Sequence, residues 1–289
     1  MVCFVLLAGT SARAQMSGGT FENAGLTLHY RTLGKGSPVV ILSGGPGMDV
    51  DYMLPVAEMV ARDHMAVLLE QRGTGRSMPA DLSTQTVSGE LLQTDIEALR
   101  AKLGAAQMTL LGHSAGAITA LSYAIAHPVS VKSLVLLGVP APTFKGNSRA
   151  DAVLMARLTP EEKAQMGEAS SHPEQLMDVL RIVFAADFSD RAKGRAFAAT
   201  QTTENFHAKT MMLIESSGAY DLRDGLHALH VPVLIVQGKD DPYSPAIAAE
   251  TKDAVAGAQL IAVDGAGHFG WLEQPDVYAK ALTGFLKGK

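Results

Sequence analysis

The chain has 289 residues, 47% of them hydrophobic and 18% charged, with a formal net charge of −5. That is enough apolar material for a sizeable core, in one large domain or a domain with an insertion, and it is not the composition of a disordered chain. No Lys/Arg run or basic stripe appears, which argues against a nucleic-acid partner, and no segment beyond the N-terminus is long and apolar enough for an integral membrane helix.

Residues 1–14 are expected to be a signal peptide. The apolar run of residues 2–8 is too short to span a bilayer, and Ala12-Arg13-Ala14 has the small-x-small form of a cleavage site. A charged leading segment is missing, and an ordinary N-terminal strand is the alternative reading. Cleavage after Ala14 would remove Cys3, the only cysteine, and Arg13, taking the charge to −6. The mature protein would then be periplasmic or secreted and free of disulfides, whereas without cleavage the protein would be cytoplasmic.

Residues 20–33 alternate as a hairpin does, with Asn23-Ala24-Gly25 at its turn. Short apolar runs follow at residues 39–42, 66–69, 108–111, 134–137, 233–236 and 260–263. Runs this short, apolar on both faces and bounded by Gly or Pro, suit central parallel strands covered by helices. Amphipathic stretches such as residues 88–103 and 246–256 lie between them. The expected fold class is therefore α/β, with a mixed, mostly parallel sheet flanked by helices. From residue 141 to residue 229 the strand signal stops and the chain reads as helical. The expected division is a core of residues 15–140 and 230–289, with residues 141–229 as a helical cap insertion over the C-terminal edge of the sheet, where open α/β sheets bind ligands.

Gly112-His113-Ser114-Ala115-Gly116 sits where the fifth strand should pass into a helix. It fits G-x-S-x-G, the tight turn that lifts a serine hydroxyl clear of a sheet. A serine needs an adjacent base to attack at neutral pH, and in this architecture the partners follow in the order Ser, Asp or Glu, His. Asp241, in Gly238-Lys239-Asp240-Asp241-Pro242, and His268, in Gly265-Ala266-Gly267-His268-Phe269, follow in that order after strands. Ser114 is thus the expected nucleophile, His268 the general base and then acid, and Asp241 the group that orients the imidazole, with Asp240 as its rival. The Gly-rich Ser43-Gly44-Gly45-Pro46-Gly47 follows the strand at 39–42. Its Gly45 N–H, or else that of Gly44, is expected to form an oxyanion hole with the N–H of Ala115. No G-x-x-x-x-G-K-[ST] phosphate loop is present, and no metal-ligand spacing. His113 is expected to point away from the chemistry. His29, His64, His127, His172, His207, His227 and His230 read as surface or packing residues, and Arg72 as a tie between loops.

With these motifs the chain resembles the α/β-hydrolase superfamily over nearly its whole mature length. More narrowly, it resembles the proline iminopeptidase branch. That branch carries H-G-G-P-G, here Ser43-Gly44-Gly45-Pro46-Gly47, and D-Q-R-G-x-G-x-S, here Glu70-Gln71-Arg72-Gly73-Thr74-Gly75-Arg76-Ser77. Its members usually have G-G-S-W-G at the elbow, where this chain has G-H-S-A-G, a form common among esterases. The resemblance implies a helical cap, no cofactor and hydrolysis through an acyl-enzyme. It also implies an acidic cap residue that holds the substrate's free amine, for which Glu204 is the candidate and Glu215 the other choice. The expected function is a serine hydrolase of a small ester or amide, acting on a small molecule or short peptide, either aminopeptidase-like or carboxylesterase-like. Perhydrolase or acyltransferase chemistry is compatible with the same acyl-enzyme. A reading of another class is a non-catalytic ligand-binding protein on the same fold.

Overall fold

The computed structural model describes residues 16–169, 172 and 175–287. The expected signal peptide and Cys3 lie outside them. β1 (Ser17–Asn23) and β2 (Leu26–Gly34) form the expected hairpin, and Asn23 pairs with Leu26 across a two-residue loop. Both loop residues, Ala24 and Gly25, have positive φ, the turn whose twist matches that of the strands it joins.

The apolar runs become β3 (Pro38–Leu42), β4 (Met65–Glu70), β5 (Met108–His113), β6 (Val131–Leu137), β7 (Val233–Gly238) and β8 (Gln259–Val263). They join the hairpin in one sheet of order β1-β2-β4-β3-β5-β6-β7-β8. The pairs of β2 with β1 and β4 are antiparallel, and the rest are parallel. Because side chains alternate along a strand, each central strand feeds two cores. Ile41, Leu68, Leu111, Val135 and Val236 face one side, packed by α1 (Leu54–Val60) and α12 (Pro275–Leu286). Leu42, Leu69, Leu110, Leu134 and Ile235 face the other, packed by α2 (Gly89–Lys102), α3 (Ala115–Ala126) and α10 (Pro245–Ala254). This burial of both faces is why the runs lack polar alternation.

Arg72 locks the start of this assembly. Its Nε and Nη2 donate to the two Asp95 oxygens on α2 at 2.9 and 2.7 Å, and further donors reach the carbonyls of Asn23 and Thr86. The hairpin turn, the loop before α2 and α2 itself are thereby held by one guanidinium.

Between β6 and β7 lie α4 (Ser148–Arg157), α5 (Pro160–Ala169), α6 (Leu176–Ala186), α7 (Arg191–Ala199), α8 (Ala208–Ser216) and α9 (Arg223–His227). Among the described residues, the stretch between β6 and β7 is thus built mainly of helices. The last of these helices returns to the sheet: Leu226 of α9 is fully buried in the core with α3 and α10. No helix among the described residues is long and apolar enough to cross a membrane.

Candidate active site

The elbow is as tight as the sequence requires. Ser114 sits between β5 and α3 at φ 54° and ψ −122°, a conformation L side chains rarely adopt. A Cβ on Gly112 would lie 2.3 Å from the Gly116 carbonyl oxygen, and one on Gly116 would lie 2.5 Å from those of Leu42 and Ser43. Any side chain at either position would open the turn. The Ser114 N–H donates to the Leu137 carbonyl, fixing the corner to β6, and its Oγ has no partner among the described residues.

His268 follows β8 on the loop that precedes α11 (Gly270–Glu273). Its Nδ1 lies 2.9 Å from Asp241 Oδ2. Asp241, in turn, accepts from Gln237 Nε2 and from the Tyr243 N–H, each at 2.8 Å, and is fully buried. Asp240 turns away and accepts from Ser189 Oγ, so Asp241 is the carboxylate that meets the imidazole. Burial pushes the His268 imidazolium down, but the charge and hydrogen bond of Asp241, with the charge of Asp187, outweigh it and leave the group above its ordinary value. An imidazole held at Nδ1 by a carboxylate has Nε2 available for proton transfer.

The two expected backbone donors also reach one space. Among the described residues neither the Gly45 nor the Ala115 N–H has an acceptor, and both residues line a cavity of about 420 Å³ that includes Ser114. The alternative, Gly44, is occupied: its N–H donates to Tyr52 Oη at 2.6 Å. A second cavity of about 170 Å³ meets the first at Ser114 and Gly45 and is lined by His268, Phe184, Phe206, Asp151 and Asp187.

Four residues near the site carried no expectation or a different one. His113 does not point away: it lines the smaller cavity, and its Nε2 donates to the His268 carbonyl at 3.1 Å. Tyr52 joins it at Nδ1. Asp187, at the end of α6, accepts the His268 N–H on its carbonyl at 2.7 Å. Its side chain lines the smaller cavity, where burial pushes the carboxyl up to about 7, with Asp241 adding and His268 opposing. Burial also raises Asp151. Glu204 is exposed and lines neither cavity, because the turn that carries it buries Phe206 instead. Glu215 does line the larger cavity. Among the described residues no Lys or Arg lines either cavity. No cluster of His, Cys, Asp or Glu that could hold a metal occurs among the described residues.

Known proteins share this architecture. A proline iminopeptidase of Lactobacillus helveticus is 26% identical over 279 residues, covering 91% of this chain and 95% of its own. The structure of a proline iminopeptidase from Mycobacterium smegmatis superposes with a TM-score of 0.78 at 20% identity, covering 94% and 98%. That of an esterase from Exiguobacterium antarcticum gives 0.70 at 22%, covering 94% and 100%; at such identities the structures speak for the fold. A family model described as the alpha/beta hydrolase family matches residues 39–281. With that match over most of its length, the chain belongs to the alpha/beta hydrolase family.

Proposed function

We propose that the protein is a serine hydrolase that cleaves a small ester or amide through an acyl-enzyme on Ser114. The observation that carries this reading is the Asp241–His268 pair at 2.9 Å on a cavity shared with Ser114. Beside it are two N–H donors without acceptors among the described residues. His268 Nε2 takes the Ser114 proton as Oγ attacks the carbonyl carbon. The oxyanion forms against the N–H groups of Gly45 and Ala115. As the tetrahedral intermediate collapses, the bond to the leaving group breaks and His268 returns the proton to it. Water, deprotonated by the same nitrogen, then attacks the acyl carbon, and the acid leaves as Ser114 recovers its proton. That Ser114 Oγ has no hydrogen-bond partner among the described residues does not argue against this, since catalytic hydrogen bonds tighten as substrate binds.

The cavity walls favour a substrate that is neutral or carries an amine. Carboxyls line both cavities and, among the described residues, no Lys or Arg does, so an anionic substrate would meet repulsion without a partner. In the aminopeptidase-like form of the reading, Asp187 and Asp151 hold the substrate's ammonium in the smaller cavity, in place of Glu204. The carboxylesterase-like form draws its support from the larger cavity, whose wall mixes hydroxyl and apolar groups. In either form residues 141–229 act as the cap that shapes both cavities.

The test is paired turnover of a prolyl arylamide and a short-chain nitrophenyl ester, each repeated with Ser114→Ala. Arylamide turnover abolished by the substitution supports the aminopeptidase form, and ester turnover alone supports the esterase form. Stoichiometric binding without turnover, or turnover that survives Ser114→Ala, overturns the proposal.

A further inference from the structure

Three hydrogen bonds link the oxyanion turn to the loop of the general base, and their directions are fixed by chemistry. The His268 carbonyl can only accept, so His113 Nε2 carries the proton of the 3.1 Å bond between them. A neutral imidazole protonated at Nε2 has a lone pair at Nδ1, so Tyr52 O–H donates to it, at 2.8 Å. With its proton committed, the Tyr52 oxygen accepts the Gly44 N–H at 2.6 Å. Burial lowers His113 well below its ordinary value, with the neighbouring His268 adding to that, and burial raises the Tyr52 phenol. Both groups therefore stay neutral wherever His268 can act. The rings are packed as well as bonded: His113 lies 4.6 Å from His268 and 4.7 Å from Trp271, centre to centre, and Tyr52 lies 5.8 Å from Phe269.

We propose that Tyr52 and His113 are positioning residues that set the oxyanion turn and the general base relative to one another. Tyr52 draws the Gly44 N–H out of the cavity, which leaves the next peptide, at Gly45, to present its own. The same hydroxyl fixes the His113 tautomer, and His113 holds the main chain of His268. Neither side chain touches the reacting atoms; each acts on a group that does. An error of a few tenths of an ångström in either donor or base falls on the transition state more than on the bound substrate, because the charge that they serve exists only there. The proposal rests on the serine-hydrolase reading.

The experiment compares Tyr52→Phe, His113→Leu and His113→Gln with the wild type, using the nitrophenyl ester and a short alkyl boronic acid that forms a tetrahedral adduct on Ser114. Glutamine is the conservative variant, since its Oε1 can accept from Tyr52 and its Nε2 can donate to His268. Tyr52→Phe and His113→Leu are expected to lower kcat by about tenfold to a hundredfold, with KM within about threefold. The boronate affinity should fall with kcat, and His113→Gln should stay within about threefold of the wild type. In addition, ¹⁵N spectra of the wild type should show His113 neutral and protonated at Nε2 throughout the active pH range. The proposal is overturned if Tyr52→Phe keeps its kcat, if kcat falls without a loss of boronate affinity, or if His113→Gln is as damaged as His113→Leu. If Tyr52→Phe does not fold, the two His113 variants and the boronate decide the matter. Ser114→Ala, assayed alongside, separates the two proposals: turnover that survives it removes the serine-hydrolase reading, whereas turnover lost there but kept in Tyr52→Phe removes only the positioning role.

Discussion

Replacing Asp187 with asparagine should stabilise the protein, and by an amount that grows with pH. The carboxyl stands at about 7 in the folded protein against an ordinary 3.8, so the native state binds this proton more tightly than the unfolded chain does. The sign follows. Below about pH 4 both states are protonated and the residue costs nothing. As pH rises toward 7 the unfolded chain ionises first, and native stability declines until the folded carboxyl ionises too. A rise from 3.8 to about 7 corresponds to about 4 kcal/mol. The side chain keeps part of its surface on the cavity, however, where water screens it, so about 2 kcal/mol is the expected penalty above pH 7. Asparagine keeps the shape and never ionises. Urea unfolding of the two proteins should therefore give equal stabilities near pH 4 and a gap of about 2 kcal/mol in favour of Asp187→Asn at pH 8. A gap that does not change with pH would refute the reasoning, since it would mean that Asp187 ionises in the native state as freely as in the unfolded chain. The functional counterpart is direct. In the proposed aminopeptidase form, an ammonium bound in the cavity that Asp187 shares with Ser114 would relieve the carboxylate, so Asp187→Asn should depress turnover of the prolyl arylamide far more than that of the ester.

Two other substitutions test the frame around the site. Asp241→Asn should lower kcat by about 10⁴-fold in the ester assay, because the amide no longer fixes the imidazole tautomer or supports its charge; Asp240→Asn, whose carboxylate accepts from Ser189 instead, should stay within about threefold. Removing the Asp241 charge also removes the largest influence that raises His268, so any residual acid limb of the kcat/KM profile should move to lower pH. Asp95→Ala should cost about 3–5 kcal/mol in urea unfolding, since it strands the Arg72 guanidinium without its carboxylate in a site where both side chains are 1% exposed.

What the sequence disclosed was whatever is written in neighbouring residues. The elbow was legible because two glycines at fixed offsets from Ser114 are demanded by the backbone itself, and a β-strand and a helix flank it on either side. Asp241 and His268 were legible because each follows an apolar strand, and strands of a parallel sheet deliver their following loops to one edge. Asp187 was not, because what makes it matter is the packing of the end of α6 onto the His268 loop, 81 residues further on. His113 faces the site for a similar reason: only the docking of Tyr52 and of the His268 loop decides where its ring nitrogens point. Glu204 shows the reverse error. The resemblance implies an acidic residue in the cap, yet along the turn after α7 it is Phe206, 2% exposed, that packs inward, and nothing in a carboxylate's own chemistry says which side of such a turn it will occupy.

The Gly-rich turn shows how a motif can answer to contacts that lie far apart in the chain. Gly44 must be glycine because a Cβ there would stand 2.9 Å from that of Ser114 and 3.0 Å from His113 Nδ1, so it answers to the elbow. Gly47, at φ 96°, answers to the cap: a Cβ would lie 2.7 Å from the His207 carbonyl oxygen. At that point the segment leading into α8 is stitched to the turn. The His207 N–H donates to the Gly47 carbonyl at 2.8 Å, the Asp49 N–H to that of Asn205 at 3.0 Å, and His207 Nε2 meets Asp49 Oδ1 at 2.9 Å. The stretch around Gly45 is thus held at Gly44 by Tyr52 and at Gly47 by the segment leading into α8. On the proposed reading a displacement of α8 is expected to reach the Gly45 N–H, because only one residue separates Gly45 from the glycine to which the segment before that helix is tied. On the proposed serine-hydrolase reading, the helices between β6 and β7 and the oxyanion donor share a support, so a change made to the one is expected to be felt by the other.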